Sequence, residues 1–152
     1  MNLGNIALAL AFASGVIALP VYFLWARGQS DLRGVARLFT AGMALWVVVA
    51  SVFQMANILS HQFQYEYVAK FSDRSLPTLL LAATFWGGQA GSFMLWALWS
   101  VLFALILMWG LRRSSWEPFV LTPYLLVTIC VVGIMWASGP FRMLANPPAD
   151  GK

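Results

Sequence analysis

From Leu3 to Trp25 the chain runs without one charged side chain. A helix needs about 20 apolar residues to cross a hydrocarbon core. A backbone in lipid must also satisfy its own hydrogen bonds, so the stretch is predicted to be a membrane-spanning helix. It has no positively charged leader and is too long for the apolar core of a signal peptide, so it reads as a retained span. Three further runs of spanning length follow, at 35–59, 92–111 and 119–137, uncharged apart from Arg37 near the start of the first. The expected fold is all-α and integral to the membrane, with four transmembrane helices in one domain over 1–152. Composition agrees, because 61% hydrophobic and 9% charged residues leave too little polar surface for a soluble fold of this size.

Gly4, Ala7, Ala11, Gly15 and Ala18 recur every three or four residues along the first span. Such a stripe lets another helix backbone come close, which is how helices pack in lipid without a hydrophobic driving force. Pro20 is placed to bend the far end of that span. Near the end of the second span, Gln54 and Asn57 are expected to hydrogen-bond to neighbouring helices or water. Residues 60–91 form an outer-face loop containing Thr78 to Phe85, an apolar piece too short to span and read as interfacial or re-entrant. Residues 138–152 form an outer tail, broken from the fourth span by Gly139 and Pro140.

The two short links and their edges hold Arg27, Arg33, Arg37, Arg112 and Arg113; the other side holds Lys70, Arg74, Arg142 and Lys152, spread over longer segments. By the positive-inside bias both termini and 60–91 lie outside the cytoplasm. Tyr22, Trp25, Trp109 and Trp116 then fall at the inner edge, and Tyr65, Tyr67, Trp86 and Trp136 at the outer one, as interfacial anchors.

Several chemistries are disfavoured. The net charge of +4 is small and dispersed, without the basic cluster that nucleic acid needs. The single cysteine, Cys130, sits in an apolar run and reads as a small buried hydrophobe. No span carries an acid, which counts against a transporter. His61, the sole histidine, is the lone metal candidate, as an axial haem ligand, beside its plainer reading as a surface histidine. Ser72, Ser75 and Ser92 have no histidine near in sequence to activate them.

The richest stretch lies between Phe63 and Trp96. Glu66, Lys70, Asp73 and Arg74 close on Leu76 and Pro77; then Trp86, Gly87, Gly88, Gln89, Ala90, Gly91 and Ser92 precede a helix bearing Phe93, Trp96, Trp99 and Phe103. The glycines permit unusual turns or close approach of a flat ligand or helix. The aromatic rings either pack against neighbouring helices or form a platform for a planar apolar cofactor.

The spacing Phe63, Tyr67-Val68-Ala69, Ser72-Asp73-Arg74, Leu76-Pro77, Trp86-Gly87-Gly88-Gln89, Gly91-Ser92 and Leu95-Trp96 resembles the N-terminal part of CcmF and its relatives NrfE and CcsA, the haem-handling superfamily of cytochrome c maturation. Gly4 and Asn5, and the tail Gly139-Pro140-Phe141-Arg142 with Pro148, Asp150 and Gly151, are similar too. Two departures stand out: Ala90 occupies the family's acidic position, and Thr78, Leu79 and Leu80 replace an aromatic and basic group. The family's tryptophan-rich WWD loop and haem-ligating histidines lie beyond the matched part.

The resemblance implies the N-terminal subunit of a split haem lyase assembly, not catalytic alone and carrying no catalytic residue. It would scaffold haem delivery and covalent attachment to apocytochrome c on the outer face. Trp86, Gly87, Gly88, Gln89, Gly91, Ser92 and Trp96 would form a wall of the haem vestibule, with Ser72, Asp73, Arg74, Leu76 and Pro77 structural. Haem would be bound mainly by a partner chain and not by this chain alone. Implied partners are other membrane subunits, foremost a WWD-domain haem lyase piece, then a haem chaperone and apocytochrome c. The implied location is a bacterial inner membrane, ahead of the mitochondrial one. The alternative is a structural membrane subunit of another complex that kept the fold without haem chemistry.

Overall fold

The computed structural model describes residues 2–150. Met1, Gly151, which the resemblance includes, and Lys152, counted among the outer charges, lie outside the described residues.

Four long helices carry the fold: α1 (Leu3–Ala26), α2 (Arg33–Leu59), α5 (Gln89–Gly110) and α6 (Glu117–Ala137). Each is long and apolar enough to cross a membrane. Two six-residue helices, α3 (Glu66–Phe71) and α4 (Thr78–Ala83), are inserted between α2 and α5, and a 3-10 turn, Thr84–Trp86, leads into α5. The chain is an integral membrane protein, all-helical among the described residues apart from one isolated bridge between Tyr65 and Met143.

α1 packs on α2 and α6, and α5 packs on α6 and α2, closing a ring of four. The small-residue stripe of α1 faces inward as its spacing requires: Gly4, Ala7, Ala11, Gly15 and Ala18 are all buried. A Cβ on Gly15 would stand 2.7 Å from Ile129 Cγ1 and 2.8 Å from Met43 Sδ, so α2 and α6 both depend on that hydrogen. The helix begins on Asn2, whose side chain accepts the Asn5 N–H at 3.0 Å. It runs through Pro20 to Ala26, and Gly28 at φ 106° turns the chain out of it.

The ring has two chemically different ends. At one, here called the platform end, α3, α4 and the residues after α6 gather. Phe141 is buried against Gly4, and its carbonyl accepts the Asn2 amide at 2.8 Å. The Glu66 N–H donates to the Arg142 carbonyl at 2.9 Å and the Leu144 N–H to the Gln64 carbonyl at 2.9 Å, so the first part of the tail is tied to the loop before α3.

At the other, arginine end, Glu117 overturns one expectation. The sequence placed it in a link, with acids absent from the spans; it is the first residue of α6 and fully buried. Arg37 donates to both of its oxygens, at 2.8 and 2.5 Å, and Arg33 and Arg37 both donate to the Arg112 carbonyl. The apolar run of α6 hid the acid, because an ion pair with Arg37 makes burial tolerable.

Other differences follow from what each side chain touches. Tyr22 is no membrane anchor: it is buried, with its hydroxyl 3.4 Å from Glu117 Oε1. Tyr65 and Tyr67 are buried as well, bracing the platform. Cys130 is exposed on α6 rather than buried, on a side that no other helix of the ring covers. Gln54 and Asn57 are buried, and their amide nitrogens have no hydrogen-bond partner among the described residues. α5 starts at Gln89, three residues before the expected span.

Candidate functional site

The platform end is built around one phenol. Tyr67, in α3, has its hydroxyl 2.8 Å from the Thr84 carbonyl and 3.1 Å from that of Phe85, and accepts the Gly88 N–H at 3.1 Å. Burial raises its pKa above the usual phenol value, partly offset by the Gly88 N–H. This hydroxyl locks α3 to the 3-10 turn and to the start of α5.

The glycines serve that lock. A Cβ on Gly91 would collide with the Tyr67 hydroxyl and the Phe85 carbonyl, and one on Gly88 with the Phe71 ring. Gly87 and Gly88 have φ of −68° and −121°, so neither makes an unusual turn; close approach holds at Gly88 and Gly91, whereas a Cβ on Gly87 would make only ordinary contact with Thr84 at 3.5 Å. What approaches Gly88 and Gly91 is the chain's own α3, which puts them on the inner side of α5.

The remaining residues of this group point outward. Trp86 and Trp96 are more than half exposed and Gln89 is exposed, while the Ser92 hydroxyl donates to the Trp86 carbonyl at 3.1 Å and fixes the turn. Phe93 meets Trp96 edge to face at 5.6 Å. Trp96, Trp99, Phe103 and Ile106 continue down the same side at helical spacing, all at least half exposed. Trp99 stands near the middle of α5, where an indole cannot serve as an interfacial anchor. The sequence therefore brought together seven residues that the fold divides: an outward aromatic face, and a glycine pair that holds it in place.

The polar run supports this arrangement. Ser72 is buried and its hydroxyl donates to the Val68 carbonyl at 2.7 Å, closing α3. Asp73 accepts the Ser75 N–H and hydroxyl, both at 2.6 Å, which holds its carboxyl below the usual range. The Arg74 N–H donates to Asp150 at 3.1 Å, and its guanidinium lies 5.8 Å from the Phe63 ring centroid. Leu76 packs on the core, and Pro77 precedes α4, where Leu79 and Leu80 are exposed and Leu81 is buried. Beside the aromatic face, a hollow of about 250 Å³ is lined by Glu66, Lys70, Gln89, Ala90 and Arg142 over Tyr67 and Phe71.

His61 sits at φ 52°, close enough to act electrostatically on Asp73, with its ring 5.8 Å from Phe63 and a buried Nδ1 that makes no hydrogen bond. No group of three His, Cys, Asp or Glu side chains among the described residues could hold a metal ion. As the chain's sole histidine, it cannot supply both axial ligands of a bis-imidazole haem. The exposed indoles of Trp86 and Trp96 offer apolar ring surface to a flat macrocycle, with the half-buried Phe93 set edge to face against Trp96.

Four spanning helices closed into a ring, with a helical platform at one end, define a polytopic helical membrane protein. No family model matches the chain. It is 30% identical to the cytochrome c-type biogenesis protein CcmF of Haemophilus influenzae over 99% of this chain and 24% of that protein. It is 33% identical to NrfE of the same organism, over the same shares. A solved structure of the cytochrome c haem lyase CcmF superposes with a TM-score of 0.79 at 25% identity, covering 95% of this chain and 25% of that one. The chain is homologous to the CcmF/NrfE cytochrome c biogenesis proteins and corresponds to an N-terminal part of them, spanning about a quarter of their length.

Proposed function

We propose that this chain works in cytochrome c maturation as the N-terminal subunit of a split, CcmF-like haem lyase assembly. The observation that carries the reading is the similarity to CcmF in sequence and fold along nearly the whole chain. In this reading the chain is one membrane domain of a bacterial inner membrane, with the platform end and both termini outside. It scaffolds the delivery of haem to apocytochrome c and is not catalytic alone.

Its outward face, Trp86, Gln89 and Trp96, forms a wall of the haem vestibule. Gly88 and Gly91 position that wall through Tyr67, and Gly87 and Ser92 shape the turn. Bound haem supplies the vinyl groups that form thioethers with the apocytochrome; this chain contributes apolar planes and excludes water from one side. A partner, a WWD-bearing haem lyase piece, would hold the haem, and a haem chaperone would bring it.

The test is covalent haem in c-type cytochromes, read by haem staining of denaturing gels. Loss of the chain is expected to abolish the stain. Trp96→Ala is expected to lower it at least several-fold while the chain still inserts and assembles. Full staining without the chain overturns the reading.

One observation favours the alternative of a structural subunit in another complex. Ala90 lines the outer hollow where the resembled pattern has an acid, so this chain offers no carboxylate at that position.

A further inference from the structure

Between α1 and α6, in the half of the bundle near the arginine end, runs a groove of about 480 Å³ lined by Leu19, Pro20, Phe23, Thr122, Pro123 and Leu126. Its one hydroxyl is already engaged, since Thr122 donates to the Pro118 carbonyl at 2.6 Å. Both helices carry an internal proline here. The compact rings leave width where a longer side chain on either helix would close the gap.

The mouth of the groove is charged. Phe23 forms part of its lining, and the Arg27 guanidinium lies 5.7 Å from the Phe23 ring centroid. Arg27 is exposed and makes no ion pair among the described residues. Four residues of helix put Arg27 about 6 Å beyond Phe23, and Leu19 lies about 6 Å deeper than Phe23. At the start of α6, Trp116 and Phe119 meet edge to face at 6.1 Å, an aromatic pair of the kind found at headgroup depth.

We propose that this groove seats one acyl chain of an anionic phospholipid, with the lipid phosphate on Arg27. The lining offers a hydrocarbon chain contact on both sides and nothing polar to desolvate. The unpaired guanidinium at the mouth selects a negative headgroup, as basic sites between membrane helices do. A spanning helix of a partner fits less well: one turn of a helix about 10 Å across fills about 420 Å³ by itself, so the groove is a slot rather than a bed. The lipid links α1 to α6. The proposal stands independently of the haem reading.

Native mass spectrometry of the full chain in mild detergent, with phosphatidylglycerol or phosphatidylcholine added, tests it. Phosphatidylglycerol adducts are expected to survive about fivefold better than phosphatidylcholine adducts, and Arg27→Gln to bring the two to parity. Leu126→Trp, at a half-exposed position whose larger ring takes the groove, is expected to remove both adducts. Leu38→Trp, on the exposed side of α2, is expected to leave them. Equal retention of the two lipids by the unaltered chain, or unchanged adducts in Leu126→Trp, overturns the proposal. So does disulfide capture of a protein partner by Leu126→Cys in membranes, which would put a helix in the groove.

Discussion

Glu117 is the residue on which three helices and the α5–α6 link converge. Arg37 of α2 holds both its oxygens, Tyr22 of α1 lies beside it, and the same Arg37 reaches the Arg112 carbonyl. Removing one partner strands the other charge, whereas replacing both with apolar groups removes the desolvation cost as well. Glu117→Leu is expected to lower stability by about 3 kcal/mol and Arg37→Met also to destabilise, while the two together cost clearly less than Glu117→Leu alone. A double-mutant cycle by reversible unfolding in micelles reads the coupling, and additive losses would show that the pair is not coupled. Sequence reading missed this residue because an acid beside Pro118 looks like a link. The available signal was Arg37 itself, an arginine inside the start of a span with no acid within that span to pair it. The glycines of 87–91 were legible as places needing small residues. That Tyr67 was the group pressing on Gly91 was not, since 24 residues separate them in the chain.

At the scale of elements, the stripe of α1 was read correctly because small residues at helical spacing have few other uses in lipid. Gly15 shows how tightly it is used, with Ile129 and Met43 inside the space of a Cβ. Gly15→Leu is expected to cost about 1–3 kcal/mol or more through overpacking, and to lower the yield of folded chain, while Gly34→Leu, where a Cβ meets nothing, leaves it unchanged. Thermal melts in matched detergent compare the two; equal melting would refute the packing assigned to α1. The ends of α5 were harder to place. Gly-Gly-Gln-Ala-Gly looks like a turn by composition, yet Gly91 lies inside the helix because the approach of α3 requires it there. α3 was hidden for a related reason: six residues show no full amphipathic period, and the platform fixes it through Tyr65, Tyr67 and Arg142.

For the whole molecule, four apolar runs sufficed to give four spans, and the two ends of the ring differ in charge as a membrane would sort them. The orientation proposed here puts the platform outside. Ser72 is buried and unsuited to report on it; Ser75 is exposed on the same segment. Ser75→Cys in intact cells is expected to react with an impermeant thiol reagent, above the background of Cys130, and reaction only after permeabilisation would invert the topology. What the sequence could not show is which side of α5 is covered by its own chain. The structure leaves Trp86, Trp96, Trp99 and Phe103 uncovered by this chain, the face that the proposed assembly uses.

The most direct measurement is purification of the tagged chain in mild detergent, with mass spectrometry of what accompanies it and an absorption spectrum of the eluate. A WWD-bearing membrane partner together with a haem Soret band is expected, with loss of both in Trp96→Ala with Trp99→Ala. A colourless complex with unrelated membrane subunits, unchanged by those substitutions, would contradict the proposed function.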